Sequence, residues 1–462
     1  MDVPLPVFTR RLRGFALAAL LGMLTACASV QVAQPTAPSK PAAESRDPSI
    51  AEAARLAELD LQLTGQARDD NTRALMRLLA GLDDAVLQRE AVAMDAADPL
   101  YAFAGRALIA RGLPLPKPFA RSADWHYDAS HRPPAESDGY RPPVKLAVLL
   151  PLTGDLSTAA APVRDGFLAG YYGETRRRPE LVFYDTAEGG AAAYDRAVAD
   201  GSDFVVGPLG RDEVSALFAR GALQVPVLAL NRGNARAPAG SASFSLSPED
   251  EGIAAAEYLL GRGIKRVLVI GGADETQRRT IAAFREQLSE RGGTVTDTFG
   301  EGTADFLPAA QREGGVEGIF LATRGSSART LVPRLNQAGL IGKPIVATSA
   351  LVSGTGKPAE DAALDGIAYL SEAWSVRGAP GLPPASTTAA QLATARGPAA
   401  RLFAFGFDAW RVTAYLEHLA ATGAELPGAT GTLRIDGFGN VLRMPAWSTF
   451  SGGVPVPLTD GR

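Results

Sequence analysis

LAVLLPLTGDLS, residues 146–157, is the stretch on which the fold turns. Residues 145–150 (KLAVLL) are an apolar run without alternation, as in a strand buried on both faces. Pro151, Leu152, Thr153 and Gly154 break the run, and residues 159–172 then repeat apolar positions at helical spacing. Strand, tight loop, helix is the opening of a βαβ unit.

The same alternation continues outward. Strands are expected at 181–184, 204–206 and 225–230, with helices at 191–199 and 211–220. After residues 241–247 the pattern restarts. Helices are expected at 249–260, 275–291, near 307–312 and at 327–337, and strands at 266–270, 294–298, 318–322 and 344–349. A strand at 367–373, a Gly/Pro/Ser-rich loop at 378–388, a long helix at 399–421 and a hairpin at 431–443 complete the chain. Unalternated strands separated by helices predict parallel sheets covered on both faces. The expected architecture is a two-lobe α/β domain over residues 144–458. Its first lobe spans about 144–247 and 352–425, and its second about 248–351 and 426–458.

Residues 48–112 read as a small all-α segment of two helical hairpins. Ser49 and Glu52 have the spacing of a capping box, and Asn71 is placed to cap a second helix. A Pro-rich linker, 113–143, follows and contains Trp125, His126 and Tyr127. Ahead of the helices, residues 27–47 lack apolar periodicity and read as a disordered tether.

Residues 1–26 read as a leader. Arg10, Arg11 and Arg13 precede FALAALLGML, residues 15–24, which is too short to span a bilayer. On charge and length alone this is a secretory signal, cut after Ala26. It ends at Leu24-Thr25-Ala26-Cys27, and Cys27 is the only cysteine among 462 residues. That ending resembles the bacterial lipobox, which implies lipid modification of Cys27. Ala28, not aspartate, follows it, and the same resemblance then favours the outer membrane.

The formal net charge is −4, so no basic face for nucleic acid is indicated. No other apolar run reaches the ~18 residues of a spanning helix. His126 and His131 fall in the linker and His418 in a helix, away from the sheet ends where a base would be needed. Gly-x-Ser-x-Gly, His-Glu-x-x-His and calcium-loop patterns are absent. Gly354-Thr355-Gly356-Lys357 is followed by Pro358 and reads as a turn, not a phosphate loop. No enzyme, catalytic residue, cofactor or metal site is expected. Ligands of parallel sheets meet the loops at the carboxyl ends of strands. Candidate cleft residues are therefore Thr153, Gly154, Asp155, Ser157, Gly207, Pro208 and Asn231. The plainer alternative is that the glycines serve tight turns, Ser157 caps the next helix and the cleft is empty.

Resemblance adds to this reading. LAVLLPLTGDLS, FYDT (183–186), VVGPLG (205–210) and LALN (228–231) resemble the type I periplasmic-binding-protein fold, as does Phe407-Asp408-Ala409-Trp410 in the late helix. The lipobox, VRDGFLAGYY (163–172) and GTLRIDGFGNVLRMPAWSTFSGGVPVPL (431–458) more narrowly resemble the penicillin-binding protein activator lipoproteins, the LpoA or LppC family. Better-known members carry a long helical-repeat domain in front, where this sequence has only two hairpins. The resemblance implies a non-enzymatic, outer-membrane, lipid-anchored protein facing the periplasm. It would bind and activate a peptidoglycan synthase, a class A penicillin-binding protein. The alternative is a lipid-anchored solute-binding protein of an importer, with an amino acid or small polar ligand between the lobes.

Overall fold

The computed structural model describes residues 47–120, 132–352 and 357–459. Cys27 and the leader, the expected tether up to residue 46, Trp125, His126, Tyr127, His131 and Gly354 to Gly356 lie outside the described residues.

Four helices open the described chain: α1 (Pro48–Asp60), α2 (Gly65–Ala80), α3 (Asp84–Ala93) and α4 (Pro99–Ala110). The cap of α1 differs from the expected capping box. Pro48 occupies the first turn without an N–H to offer, and the Asp47 carboxylate accepts from Ser49 N at 2.8 Å. Glu52 turns outward to Arg55. Asn71 does not start a helix either. It is buried inside α2 and donates through Nδ2 to Leu56 O of α1 at 2.9 Å, a bond between helices that spacing along one helix cannot reveal.

The first lobe follows as β1 (Lys145–Leu150), α5 (Ser157–Gly173), β2 (Glu180–Asp185), α6 (Gly190–Ala199), β3 (Phe204–Val206), α7 (Arg211–Phe218), β4 (Val227–Ala229) and β5 (Ala242–Phe244). Leu146, Val148 and Leu150 of β1 enter one apolar core, and Ala147 and Leu149 enter the core on the opposite face. This is why residues 145–150 carry no polar alternation. The second lobe repeats the scheme with α8 (Pro248–Leu260), β6 (Arg266–Gly271), α9 (Glu275–Glu290), β7 (Thr294–Gly300), α10 (Leu307–Ala310), β8 (Gly318–Ala322), α11 (Gly325–Leu335) and β9 (Ile345–Ala347). Then come α12 (Pro358–Asp361), β10 (Ala368–Ser371), α13 (Ala373–Arg377), α14 (Ala385–Gln391) and the long α15 (Ala399–Thr422). The chain closes with β11 (Leu426–Pro427), β12 (Thr432–Ile435), β13 (Asn440–Met444), β14 (Ala446–Ser451) and β15 (Val454–Pro457).

The sheets correct the expected division of the late chain between the lobes. The eight-stranded sheet has the order β11-β12-β13-β5-β4-β3-β1-β2, and the seven-stranded sheet β15-β14-β10-β9-β8-β6-β7. Residues 368–371 therefore belong with the second sheet, where β10 runs parallel to β9 and antiparallel to β14. Residues 426–444 belong with the first, where β13 runs parallel to β5. Only β14 and β15 return to the second sheet, and the crossing takes a single residue, Pro445. The late strands β12 to β14 mix polar with apolar residues, and that composition does not say which sheet each joins.

Helix α15 lies against α5 on the first sheet, with Phe405, Ala409, Trp410 and Val412 in its core. The two backbones touch. A Cβ on Gly166 would stand 1.9 Å from Phe403 O, and one on Gly406 would stand 1.9 Å from Val163 O. The glycine of Val163-Arg164-Asp165-Gly166-Phe167 is thus a close-packing requirement.

The four N-terminal helices share a core with the hairpin β12–β13 through Phe438, Leu442 and Met444. The Phe103 and Phe438 rings lie 4.7 Å apart. Asp60, almost fully buried, accepts from Thr72 and pairs with Arg68 and with Arg236 of the first lobe, the last at 2.8 Å. Among the described residues, no helix is long and apolar enough to cross a membrane.

Candidate functional site

Neighbouring parallel strands β1, β3 and β4 bring the predicted cleft residues to one edge of the first sheet. Most of their polar groups are spent on the loops themselves. Thr153 Oγ1 donates to Asp185 Oδ2 at 2.6 Å, and Leu152 N and Ala187 N donate to Asp185 Oδ1. The Thr153 hydroxyl is the chief reason the Asp185 carboxyl sits below its ordinary pKa. Ser157 Oγ donates back to Gly154 O at 2.7 Å, so it closes its own turn and does not cap α5. Gly154 has φ +76°, a turn conformation that favours glycine. At Gly207, with φ +98°, a Cβ would meet Leu149 O at 2.1 Å. Buried Pro208 accepts from Leu230 N at 3.0 Å. Asn231 Nδ2 donates to Leu209 O at 3.0 Å and its Oδ1 accepts from Arg232 N. Asp155 is exposed.

The charged chemistry of the crevice lies at residues that the sequence reading did not single out. Glu251, in the first turn of α8, is 4% exposed. It accepts from Ser349 N at 3.1 Å and Ser349 Oγ at 2.8 Å. It also pairs with Arg401 Nη2 and stands 3.7 Å from Arg443 Nη2. Arg401 extends from the first turn of α15, donates to Ser349 Oγ through Nη1 and approaches Glu372 Oε1 at 3.3 Å through Nε. Two carboxylates and two guanidiniums form one neutral cluster. Burial alone would raise the Glu251 carboxyl, but Arg401 and Arg443 hold it below its usual range. A second pair spans the lobes beside it, Arg232 Nη1 to Asp250 Oδ1 at 2.7 Å.

One signal for Glu251 existed in the sequence. It heads the stripe Glu251, Ala255, Leu259 at helical spacing, a charge on an otherwise apolar face. Arg401 precedes Phe405 in the same way. Their pairing is long-range and leaves no local trace. Among the described residues, no group of three or more His, Cys, Asp or Glu could hold a metal ion.

Residues 139–299 and 303–453 match the family described as "LppC putative lipoprotein". The chain belongs to the LppC family. A curated relative in Photobacterium profundum, named penicillin-binding protein activator LpoA, is 28% identical over 352 residues. That match takes in 68% of this chain and 57% of the relative, so this chain spans little more than half of its length. Full-length LpoA from Haemophilus influenzae shares the fold at 21% identity, with a TM-score of 0.60 over 89% of this chain and 78% of that one. A Chromobacterium violaceum structure described as a "putative branched-chain amino acid ABC transporter" is 27% identical, with a TM-score of 0.53 over 66% of this chain and all of the other. The two-lobe periplasmic-binding-protein-like fold with an all-helical front is thus that of LppC proteins.

In this LppC chain the late Phe407-Asp408-Ala409-Trp410 motif has a structural task. Asp408 is fully buried and accepts from Ala429 N at 2.6 Å, Thr430 N at 2.7 Å and Thr430 Oγ1 at 2.6 Å. Burial pushes its carboxyl up to about 6, against the pull of those three donors. Ala429 O in turn accepts from Trp374 N at 2.9 Å. Asp408 therefore pins the loop that feeds β12 into the first sheet.

Proposed function

We propose that this LppC protein is an outer-membrane lipoprotein, held by lipid on Cys27 and facing the periplasm, that binds and activates a peptidoglycan synthase of the class A penicillin-binding proteins. The family match over two stretches of the α/β domain carries the reading, because its curated relatives bear the name of penicillin-binding protein activators. The crevice favours it as well. Around Glu251 the carboxylates and guanidiniums pair largely with one another, while Nε and Nη2 of the neighbouring Arg232 have no hydrogen-bond partner among the described residues. Activation would act by mass action: the lipoprotein binds one conformation of the synthase more tightly and raises its population.

The test is glycan polymerisation by purified class A synthase with and without this protein, alongside co-purification of the pair. A rate increase with complex formation is expected; an unchanged rate and no complex would overturn the reading. Replacement Cys27→Ser is expected to remove the mature protein from the membrane fraction, because stable anchoring needs the acyl chains.

Likeness to the Chromobacterium violaceum structure supports the second reading, an importer's solute-binding protein. A saturating amino acid would then raise the melting temperature, by the linkage of binding to folding.

A further inference from the structure

We propose that the two lobes are locked to each other by their own side chains, with the Arg401 guanidinium standing in the crevice as a tethered ligand and the N-terminal helices clamping both lobes from outside. The molecule then works as one rigid body and does not hinge. This inference does not depend on a synthase partner.

The inner lock follows from where its members sit. Ser349 and Glu372 follow the carboxyl ends of β9 and β10 in the second sheet. Arg443 is near the carboxyl end of β13 in the first. Carboxyl ends of parallel strands are where two-lobe α/β proteins take their ligands. Here that position holds Arg401, donated by the first lobe through α15 and bound by Glu251, Ser349 and Glu372. Opening the lobes would draw Arg401 and Arg443 away from Glu251, leaving a buried carboxylate without its partners.

The outer clamp is independent of this cluster. On the first-lobe side the helices hold Arg236 through Asp60 and Phe438 through Phe103. On the second-lobe side Arg291, at the end of α9, pairs with Asp84 at 3.0 Å and donates to Leu82 O. Arg111 of the helical segment holds the same two acceptors from beneath, Leu82 O at 2.9 Å and Asp84 Oδ1 at 2.8 Å. Arg77 and Glu290 add a further pair at 3.5 Å. One rigid segment thus grips both lobes, and rotation of either would break one side of the grip.

The experiment measures the distance between spin labels on Thr158→Cys and Thr276→Cys, exposed positions in the first turns of α5 and α9, in the full chain carrying Cys27→Ser. One narrow distribution is expected, unchanged by an amino-acid mixture. In Arg401→Ala a longer second population should appear and the melting temperature should fall. Millimolar guanidinium, but not tetramethylammonium, should restore both. Arg291→Ala, at the clamp, should broaden the distribution without touching the crevice. Two distances in the unaltered protein, or a shift on adding amino acids, would overturn the lock. So would Arg401→Ala and Arg291→Ala proteins that both keep the original distribution.

Discussion

The loops at the ends of β1, β3 and β4 hold mainly uncharged polar residues and the junction around Glu251 mainly charged ones, and the two sets are used differently. In the loops, Thr153, Ser157 and Asn231 bond within their own turns or to the adjacent strand's exit. At the junction, Arg401 and Arg443 of the first lobe reach across to Glu251 and Ser349 of the second. Loop hydroxyls and amides shape an edge, whereas junction charges decide whether the two edges can separate. A polar residue at a sheet end is therefore not by itself a ligand contact.

Breaking the junction should cost most. Glu251→Ala leaves Arg401 and Arg443 facing each other in a buried site, and a loss of about 3 kcal/mol is expected in denaturant unfolding. The pH dependence has a definite sign. Glu251 has a lowered pKa in the folded state, so its stabilisation is present above the unfolded carboxyl range, near 4.3, and is lost as pH falls through the folded value. Glu251→Gln should flatten that acid limb of the stability curve.

Gly207→Ala attacks the loop edge where it is tightest. With φ +98° and Leu149 O at 2.1 Å from the added Cβ, a loss of about 2 kcal/mol is expected, with inter-lobe geometry intact. Thr153→Val removes only the hydroxyl that holds Asp185. About 1 kcal/mol should go, with the Asp185 carboxyl titrating closer to its ordinary range by NMR. The smallest effect belongs to Asp155→Ala. The side chain is exposed, and thermal unfolding should stay within about 0.5 kcal/mol of the parent. A large loss there would show that the loop edge, not the junction, carries the load.

Much of the lobe architecture was legible in the strand pattern. Residues 146–150 and 267–271 are apolar throughout because both faces of each strand are covered, and that needs no knowledge of the partner strand. The glycines of the crevice loops were legible for the same reason: a turn demands them wherever it sits. Capping was less so. Asp47 won over Ser49 because Pro48 set the helix start, and Asn71 turned inward because α1 offered it a carbonyl.

What the sequence by itself determined is therefore most of the strands and helices of the two early lobes and the parallel character of their sheets, but not β5, α12, α13, α14 (which begins inside the expected loop 378–388), β14 or β15. Local periodicity and backbone sterics encode that much, residue by residue. What only the tertiary structure decided is which sheet takes β10, β12 and β13, and that Glu251 and Arg401 share a site. A late strand with one buried face suits either sheet, and a charge on an apolar helix face says only that some partner must exist. Partners so far apart in the chain are chosen when α15 packs on α5 and carries Arg401 across to α8.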